Sequence, residues 1–273
     1  MYYYINGKFK LLEDASIPFD DAGFLYGDGL FETMRFDNKI IFSPEKHLTR
    51  LSKGLNIISL KIKEKSSDLL SILKKVIHKN NLNSGIIRLM ITRGITDMNS
   101  SNFNVPRIYV SIKPFYSIPI KPVKVLYLDE TKYPIIRFSP AIKSMNYIGN
   151  LLSKRDCKNQ GGYEPVFYNK NKIITECAIR NIFYIKNKTL LTPSPDLGIL
   201  SGVMRDTIIQ IAADLNIDVL EKHINYNNID TMEEAFISST GIGLLACYWD
   251  GWKSNYKLTK LIKKELFKRI KSN

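Results

Sequence analysis

Residues 141–150 read AIKSMNYIGN, in which Lys143 stands among Ile142, Met145, Tyr147 and Ile148, beside the small Ser144. The chain has 40 Lys and Arg residues, so solvated cations are plentiful elsewhere. A lysine in apolar surroundings raises the question of whether its amine does chemistry. Desolvation or a neighbouring cation depresses a lysine pKa and turns the amine into a nucleophile. Apolar neighbours permit that chemistry; the rest of the chain has to decide it.

The totals bound the answer. The chain has 273 residues, 44% hydrophobic and 24% charged. That is the composition of a globular protein with one large domain or two smaller ones. No run approaches the roughly 18 apolar residues of a membrane helix, and the first residues lack the apolar core and cleavage site of a signal peptide. Cys157, Cys177 and Cys247 are an odd number with no metal-type or redox-type spacing, which fits a reduced, cytoplasmic protein. His47, His78 and His223 are far apart, so no histidine metal site is expected. The formal charge is +14, spread along the chain with lysine clusters at 61–65, 74–75 and 253–271. In the last of these, Leu258, Leu261, Ile262 and Leu266 recur at helical spacing, giving an amphipathic helix with a solvated basic face. Neither zinc-finger spacing nor an RNA-binding aromatic motif is present, so no nucleic-acid partner is expected.

Local patterns set the organisation. YYYINGKFK at residues 2–10 is a hairpin with an Asn6-Gly7 turn. Residues 30–36 and 39–42 are strands joined at Asp37-Asn38. Pro44 opens a helix over 43–58 with Ser43 as N-cap, and 67–81 is a second amphipathic helix. Residues 85–94 and 106–115 are strands. FYSIPIKPV at 115–123 has two prolines and no period, and is the linker candidate. Beyond it come a strand at 123–128, a helix near 147–159, and strands at 165–169, 172–175, 181–185 and 190–192. A helix over 202–215, a strand, a helix, the strand 235–238 and a terminal helix complete the chain. The expected organisation is a smaller α+β domain over 1–117, a linker over 118–123, and a larger mixed-sheet domain over 124–273.

Three downstream stretches bear on the lysine. In ITECAIRNIFYIKN (174–187), Glu176 follows a strand. A carboxylate there, beside a ring nitrogen, would hold that nitrogen protonated, which pyridoxal phosphate (PLP) chemistry needs. In TPSPDLGILSGVMRDTIIQIA (192–212), the turn Leu200-Ser201-Gly202 opens a helix whose free N–H groups suit a phosphate. In FISSTGIG (236–243), Ser239, Thr240 and Gly241 follow an apolar strand and could also reach a phosphate.

The motifs GFLYGDGLFETMRF, HLTRL, IKSMNYIGNLLSKRD, ITECAIRNIF, GILSGVMRD and EAFISSTGIG occur in this order across nearly the whole chain. Together they resemble the class IV aminotransferases, the PLP enzymes of fold type IV. This family includes branched-chain and D-amino acid aminotransferases and aminodeoxychorismate lyases. The resemblance implies a two-domain D-amino acid aminotransferase-like fold, α+β then α/β, and a homodimer. It implies that Lys143 forms the internal aldimine and shuttles the proton, and that Glu176 pairs with the pyridine nitrogen. It makes Arg50 the clamp on the cofactor phosphate, a task suited to a guanidinium fork. By the same resemblance Leu200 packs on the ring, the amides of Val203 and Met204 bind phosphate, and Thr240 is a further phosphate ligand. Met204 stands where the family commonly has threonine, which forfeits a hydroxyl contact. Tyr147 matches the tyrosine that bonds the ring hydroxyl, although branched-chain enzymes have one more residue between lysine and tyrosine.

The resemblance leaves the reaction open. D-amino acid aminotransferases usually have an Arg-x-His pair after TRG and a tyrosine at the position of Phe31; neither is present. Branched-chain enzymes match at Tyr26, Phe31, Glu32 and Arg35, but Thr33 replaces their glycine. Lyases often carry threonine at Thr33 but have a glycine-arginine-rich turn where residues 96–101 read TDMNSS. The expected function is amino transfer between an amino acid, branched-chain-like or of broad range, and a 2-oxo acid. The alternative is release of 4-aminobenzoate and pyruvate from aminodeoxychorismate, and a remote one is an inactive PLP fold or a basic polyanion-binding module. Tyr26, Phe31, Thr33 and Arg35 are the substrate candidates. Gly27-Asp28-Gly29 is read as a turn, Trp249 and Trp252 as packing residues, Cys177 as a buried cysteine, and Arg180 as facing solvent.

Overall fold

The computed structural model describes residues 1–95 and 105–272. The chain divides into two compact units. The first holds Met1–Tyr116 and Ile142–Asn146, and the second Ser117–Ala141 and Tyr147–Ser272. The sequence reading placed everything from residue 124 onward in the C-terminal domain. The five residues around the lysine instead belong to the first unit, because their backbone pairs with its sheet. Ile118, assigned to the linker, packs against the core of the second unit.

In the first unit, β1 (Tyr2–Ile5) and β2 (Lys8–Leu11) form the expected hairpin, with Asn6 and Gly7 both at positive φ. A short helix α1 (Ala22–Tyr26), absent from the sequence reading, is capped at its start by Asp21 and ended by Gly27 at φ 69°. The remaining elements are β3 (Gly29–Asp37), β4 (Ile40–Ile41), α2 (Pro44–Ile57), α3 (Ser66–Asn80), β5 (Gly85–Ile95) and β6 (Val105–Pro114). Ser43 does stand before α2, but in the left-handed region and with no capping bond from its side chain. The strands form an antiparallel sheet in the order β2-β1-β6-β5-β3-β4. Successive side chains alternate between faces. Leu30, Met34, Phe36, Ile87, Leu89, Ile91, Val110 and Ile112 build one core with the apolar stripes of α2 and α3. Glu32 belongs by register to that buried row. The alternate residues of β3 are Phe31, Thr33 and Arg35, opposite Met90, Arg88 and Ile86 of β5.

The second unit contains β7 (Val123–Asp129), α4 (Ile148–Asn159), β8 (Glu164–Tyr168), β9 (Ile174–Cys177), β10 (Asn181–Lys186) and β11 (Thr189–Pro193). It continues with α5 (Val203–Asp214), β12 (Val219–Lys222), β13 (Glu234–Ser239), β14 (Gly243–Tyr248) and α6 (Lys257–Ser272). They build the expected mixed sheet, in the order β12-β11-β10-β13-β14-β7-β8-β9, with parallel pairs β11–β12, β14–β7 and β7–β8. Strand β14 escaped the sequence reading because FISSTGIGLLACY reads as one apolar run; the turn at residues 240–242 folds it back on β13. The helix expected before β13 is a 3-10 segment, Tyr226–Thr231. In α6 the buried stripe is Thr259, Ile262, Leu266 and Ile270, whereas Leu261 is 43% exposed. Trp249 and Trp252 stack at 4.1 Å within the core. All three cysteines are free and buried.

Candidate active site

Two glycines seat the lysine. A Cβ on Gly29 would lie 2.7 Å from the Ile91 carbonyl oxygen and 2.8 Å from Met145 Sδ, and one on Gly27 would lie 2.5 Å from Asn146 Oδ1. Without side chains there, residues 143–145 can lie along the start of β3. Phe31 N–H donates to Lys143 O at 3.0 Å, Met145 N–H donates to Gly29 O at 3.0 Å, and Leu30 bridges Ser144. The Gly-Asp-Gly stretch is therefore a turn, as expected, and also the bed for the lysine segment. Lys143 Nζ lies 4.6 Å from the centroid of the Phe31 ring. The Arg88 guanidinium lies 4.9 Å from the same ring. Thr33, opposite Arg88 in the register, has a buried hydroxyl with no hydrogen-bond partner. Arg35 donates from Nε to Asp37 at 2.5 Å and sits 4.4 Å above Phe115. Tyr26, in α1, is 54% exposed.

Arg50 projects from α2 onto Glu32. Its Nε donates to Oε1 and its NH2 to Oε2, both at 2.7 Å, and His47 Nδ1 lies 2.7 Å from Oε2. Burial pushes the Glu32 carboxyl up, but Arg50 and the His47 bond outweigh it and hold the group at about 2. Burial pushes His47 down; Glu32 opposes this, while the Arg50 and Lys143 charges add to it, and the net shift is downward. The imidazole is thus neutral near neutral pH and donates from Nδ1.

In the second unit Glu176 lies within β9 rather than beyond it. Its Oε1 accepts from Arg137 NH1, and its Oε2 accepts from the Leu200 amide at 3.3 Å. Arg137 NH2 donates to Glu130 at 2.8 Å and to Thr175 Oγ1 at 3.0 Å. Leu200 is held from its other side by Asn181 Nδ2, which donates to its carbonyl at 3.0 Å. A Cβ on Gly202 would lie 2.1 Å from Asn181 Oδ1, so only glycine fits between that side chain and α5. Val203 and Met204 follow as the first residues of α5, where N–H groups have no acceptor within the helix. Both side chains are buried. Ser238 pairs with Asn181 across β10 and β13, and its buried hydroxyl has no partner. Thr240 lies in the β13–β14 turn, and Tyr147 immediately precedes α4.

Arg180 does not face solvent. It is 9% exposed, donates to the fully buried Glu164 and lies 5.0 Å from the Tyr163 ring. Lys154 Nζ also donates to Glu164, at 2.9 Å. A buried carboxylate requires such cations, and the sequence reading had no reason to look for one at residue 164. Residues 96–101, on which the comparison with lyases and D-amino acid enzymes partly rested, lie outside the described residues. Sequence reasoning also missed Glu32 and His47 as partners of Arg50, and Arg88, Arg137 and Ser238 altogether. Only Glu32 carried a signal, being a carboxylate in the apolar register of a strand.

These residues can hold a specific kind of group. Unpaired amides at the start of α5 and the orphaned Ser238 hydroxyl suit a phosphate. In the contact cluster of Glu130, Arg137 and Glu176, two carboxylates share one guanidinium. The surplus negative charge suits a protonated ring nitrogen, so the residues fit PLP.

The first unit offers a lysine seated against an aromatic ring, and the second a guanidinium-backed carboxylate and unpaired helix amides; each is a feature that amino-group chemistry uses. The chain belongs to the amino-transferase class IV family, whose pattern matches residues 29–247, and it is an enzyme of that PLP-dependent family. It is 29% identical over 280 residues to a putative branched-chain-amino-acid aminotransferase of Methanocaldococcus jannaschii, covering 99% of this chain and 96% of the relative. It is 30% identical to a D-alanine aminotransferase of Listeria monocytogenes, covering 87% of this chain and 83% of the relative. It is 28% identical to an aminodeoxychorismate lyase of Bacillus subtilis, covering 89% and 84%. Among solved structures, the branched-chain amino acid aminotransferase of Escherichia coli superposes with a TM-score of 0.90 at 25% identity, covering 98% of this chain and 93% of that one. The fold is thus that of the fold-type-IV aminotransferases.

Proposed function

We propose that this chain binds PLP and moves an amino group between an amino acid, branched-chain-like or of broad range, and a 2-oxo acid. The observation that carries the reading is Lys143 Nζ held 4.6 Å from the Phe31 ring by a segment that only glycines can seat. PLP, when bound, supplies an electron sink for the substrate α-carbon. Lys143 Nζ would hold the cofactor and, once the substrate's amino group has displaced it, would take the proton from that carbon. Glu176 holds the proton on the ring nitrogen, with Arg137 behind it. Arg50, fixed by Glu32 and His47, and the amides of Val203 and Met204 with Thr240 hold the phosphate; Ser238 adds a hydroxyl. Leu200 would pack on the ring and Tyr147 would bond the ring hydroxyl. Tyr26, Phe31, Thr33 and Arg35 receive the substrate, with Arg88 offering a further cation for a carboxylate. Apolar contacts discriminate by only about 1–3 kcal/mol per methylene, which supports a broad range.

Thr33 favours a second reading. A buried, unpartnered hydroxyl next to the lysine's ring neighbour is suited to donating a proton during release of pyruvate, as an aminodeoxychorismate lyase requires. A homodimer is proposed on the apolar side chains around α1, where Phe19 is 76% and Phe24 62% exposed, since a second copy would cover them. A cytoplasmic location goes with the free thiols. No helix among the described residues is long and apolar enough to cross a membrane.

The test uses two substrate sets. One is a panel of L- and D-amino acids with 2-oxoglutarate or pyruvate; the other is aminodeoxychorismate, followed by 4-aminobenzoate release. Keto-acid formation without aromatic release supports amino transfer, and the reverse supports the lyase. Lys143→Ala is expected to lower kcat by about 10³-fold or more. Turnover at the wild-type rate in that variant would overturn the assignment.

A further inference from the structure

Glu176 does not stand alone. Arg137 NH1 donates to it while Arg137 NH2 donates to Glu130, at 2.8 Å, and to Thr175 Oγ1, whose own hydroxyl reaches Glu130 at 3.0 Å. The second oxygen of Glu176 accepts the Leu200 amide. One guanidinium therefore spaces two carboxylates. We propose that Arg137 is a positioning residue for the ring-nitrogen carboxylate: it holds Glu176 aimed, against the repulsion of Glu130, and leaves the cluster with one negative charge in excess. This rests on the reading that Glu176 serves the cofactor's ring nitrogen.

The charge arithmetic gives the physical reason. Two carboxylates on neighbouring edges of one guanidinium would repel strongly without it, and one of them would take a proton. A neutral carboxylic acid at Glu176 could not stabilise a protonated ring nitrogen. Two carboxylates around one guanidinium sum to −1, a charge that a protonated ring nitrogen would match. The charged or titratable groups facing Glu176 include Arg137, Glu130 and the thiol of Cys177. Burial and neighbouring Glu164 push that thiol well above its usual range, so it stays neutral. The opposing charges of Glu176 and Glu130 outweigh the burial of Arg137 and raise its own pKa, so the guanidinium remains charged at every working pH.

The test is a charge-balance series, Arg137→Gln, Glu130→Gln, the double variant and Arg137→Lys. Affinity for PLP is read by absorbance titration of the apoprotein from pH 5 to 9. Arg137→Gln should bind PLP about tenfold more weakly near neutral pH, with the midpoint of its pH dependence moved upward. Glu130→Gln should move the midpoint downward. The double variant should return to within about threefold of wild type, because removing Glu130 removes the repulsion that Arg137 offset. Arg137→Lys should fall between wild type and Arg137→Gln. A merely structural role would leave the double variant as poor as Arg137→Gln or worse, and that result overturns the proposal, as does an unshifted Glu130→Gln midpoint. The latter decides the matter if Arg137→Gln fails to fold. Glu176→Gln separates the two levels. If it leaves PLP affinity and its pH dependence unchanged, the reading of Glu176 fails; if it weakens binding while the Arg137 series does nothing, only this inference fails.

Discussion

The two units each join a guanidinium to a carboxylate, but in opposite proportions. In the first, Glu32 is fully buried and accepts three donors, two from Arg50 and one from His47. Charge is balanced, and the carboxylate serves the arginine. In the second, Arg137 divides itself between Glu130 and Glu176, all three reaching some solvent. Here charge is unbalanced, and the arginine serves the carboxylate. A balanced buried pair fixes a cation in one orientation, as a clamp on an anion needs. An acid-rich pair keeps a negative charge in reserve, as a partner for a protonated ring needs. On the proposed roles, the same two side-chain types would give a rigid clamp or a poised acid according to stoichiometry and burial.

That contrast can be broken at several points. The largest effect is expected from Arg50→Ala, which strands a buried carboxylate and should lower unfolding stability by about 3–5 kcal/mol. Arg137→Ala, with its carboxylates partly wet, should lower stability by only about 1 kcal/mol. Urea unfolding of the two apoproteins checks both, and equal losses would erase the distinction. The acid limb of the stability curve sharpens it. Glu32 has a folded value of about 2 against an ordinary 4.5. Its contribution, about 3 kcal/mol, is fully present above pH 4.5 and is lost as pH falls toward 2. His47 is also depressed, from 6.5; the unfolded chain takes its proton first, so stability begins to fall as pH drops below about 6.5. In His47→Gln the slope nearest neutrality should disappear while the Glu32 slope remains, as read from thermal unfolding between pH 3 and 8. The smallest expected effect is that of Thr33→Val. Its hydroxyl has no partner to lose, so Tm should stay level or rise slightly. Any 4-aminobenzoate release should drop, and a large loss of stability would show that the hydroxyl is bonded after all.

Much of the fold was legible because periodicity reports burial directly. The Asn6-Gly7 hairpin, the alternating rows of β3 and β5 and the stripes of α2 and α3 all follow from local spacing. Strand β14 was not legible, since an apolar run does not mark where it reverses. Leu261 misled because helical spacing alone does not say which of two adjacent apolar residues faces inward. The site divided in the same way. Lys143, Arg50, Glu176, Leu200 and Thr240 stand in motifs that can be matched by eye. Of their partners, Glu32, His47 and Asn181 fall inside the same motifs, but nothing in the motifs says which side chains pair, and Arg137 lies in an irregular stretch with no pattern at all.

The sequence by itself determined most element types and the family, and it singled out Lys143 as the candidate amine, because these depend on composition, spacing and motif order along the chain. Only the tertiary structure decided that residues 142–146 join the first unit's sheet, that Arg180 is buried on Glu164, and that Arg137 stands behind Glu176. Those facts concern which charges meet in a medium of low dielectric. Linear order leaves such meetings open, since a buried ion's partner is chosen by folding rather than by proximity in the chain.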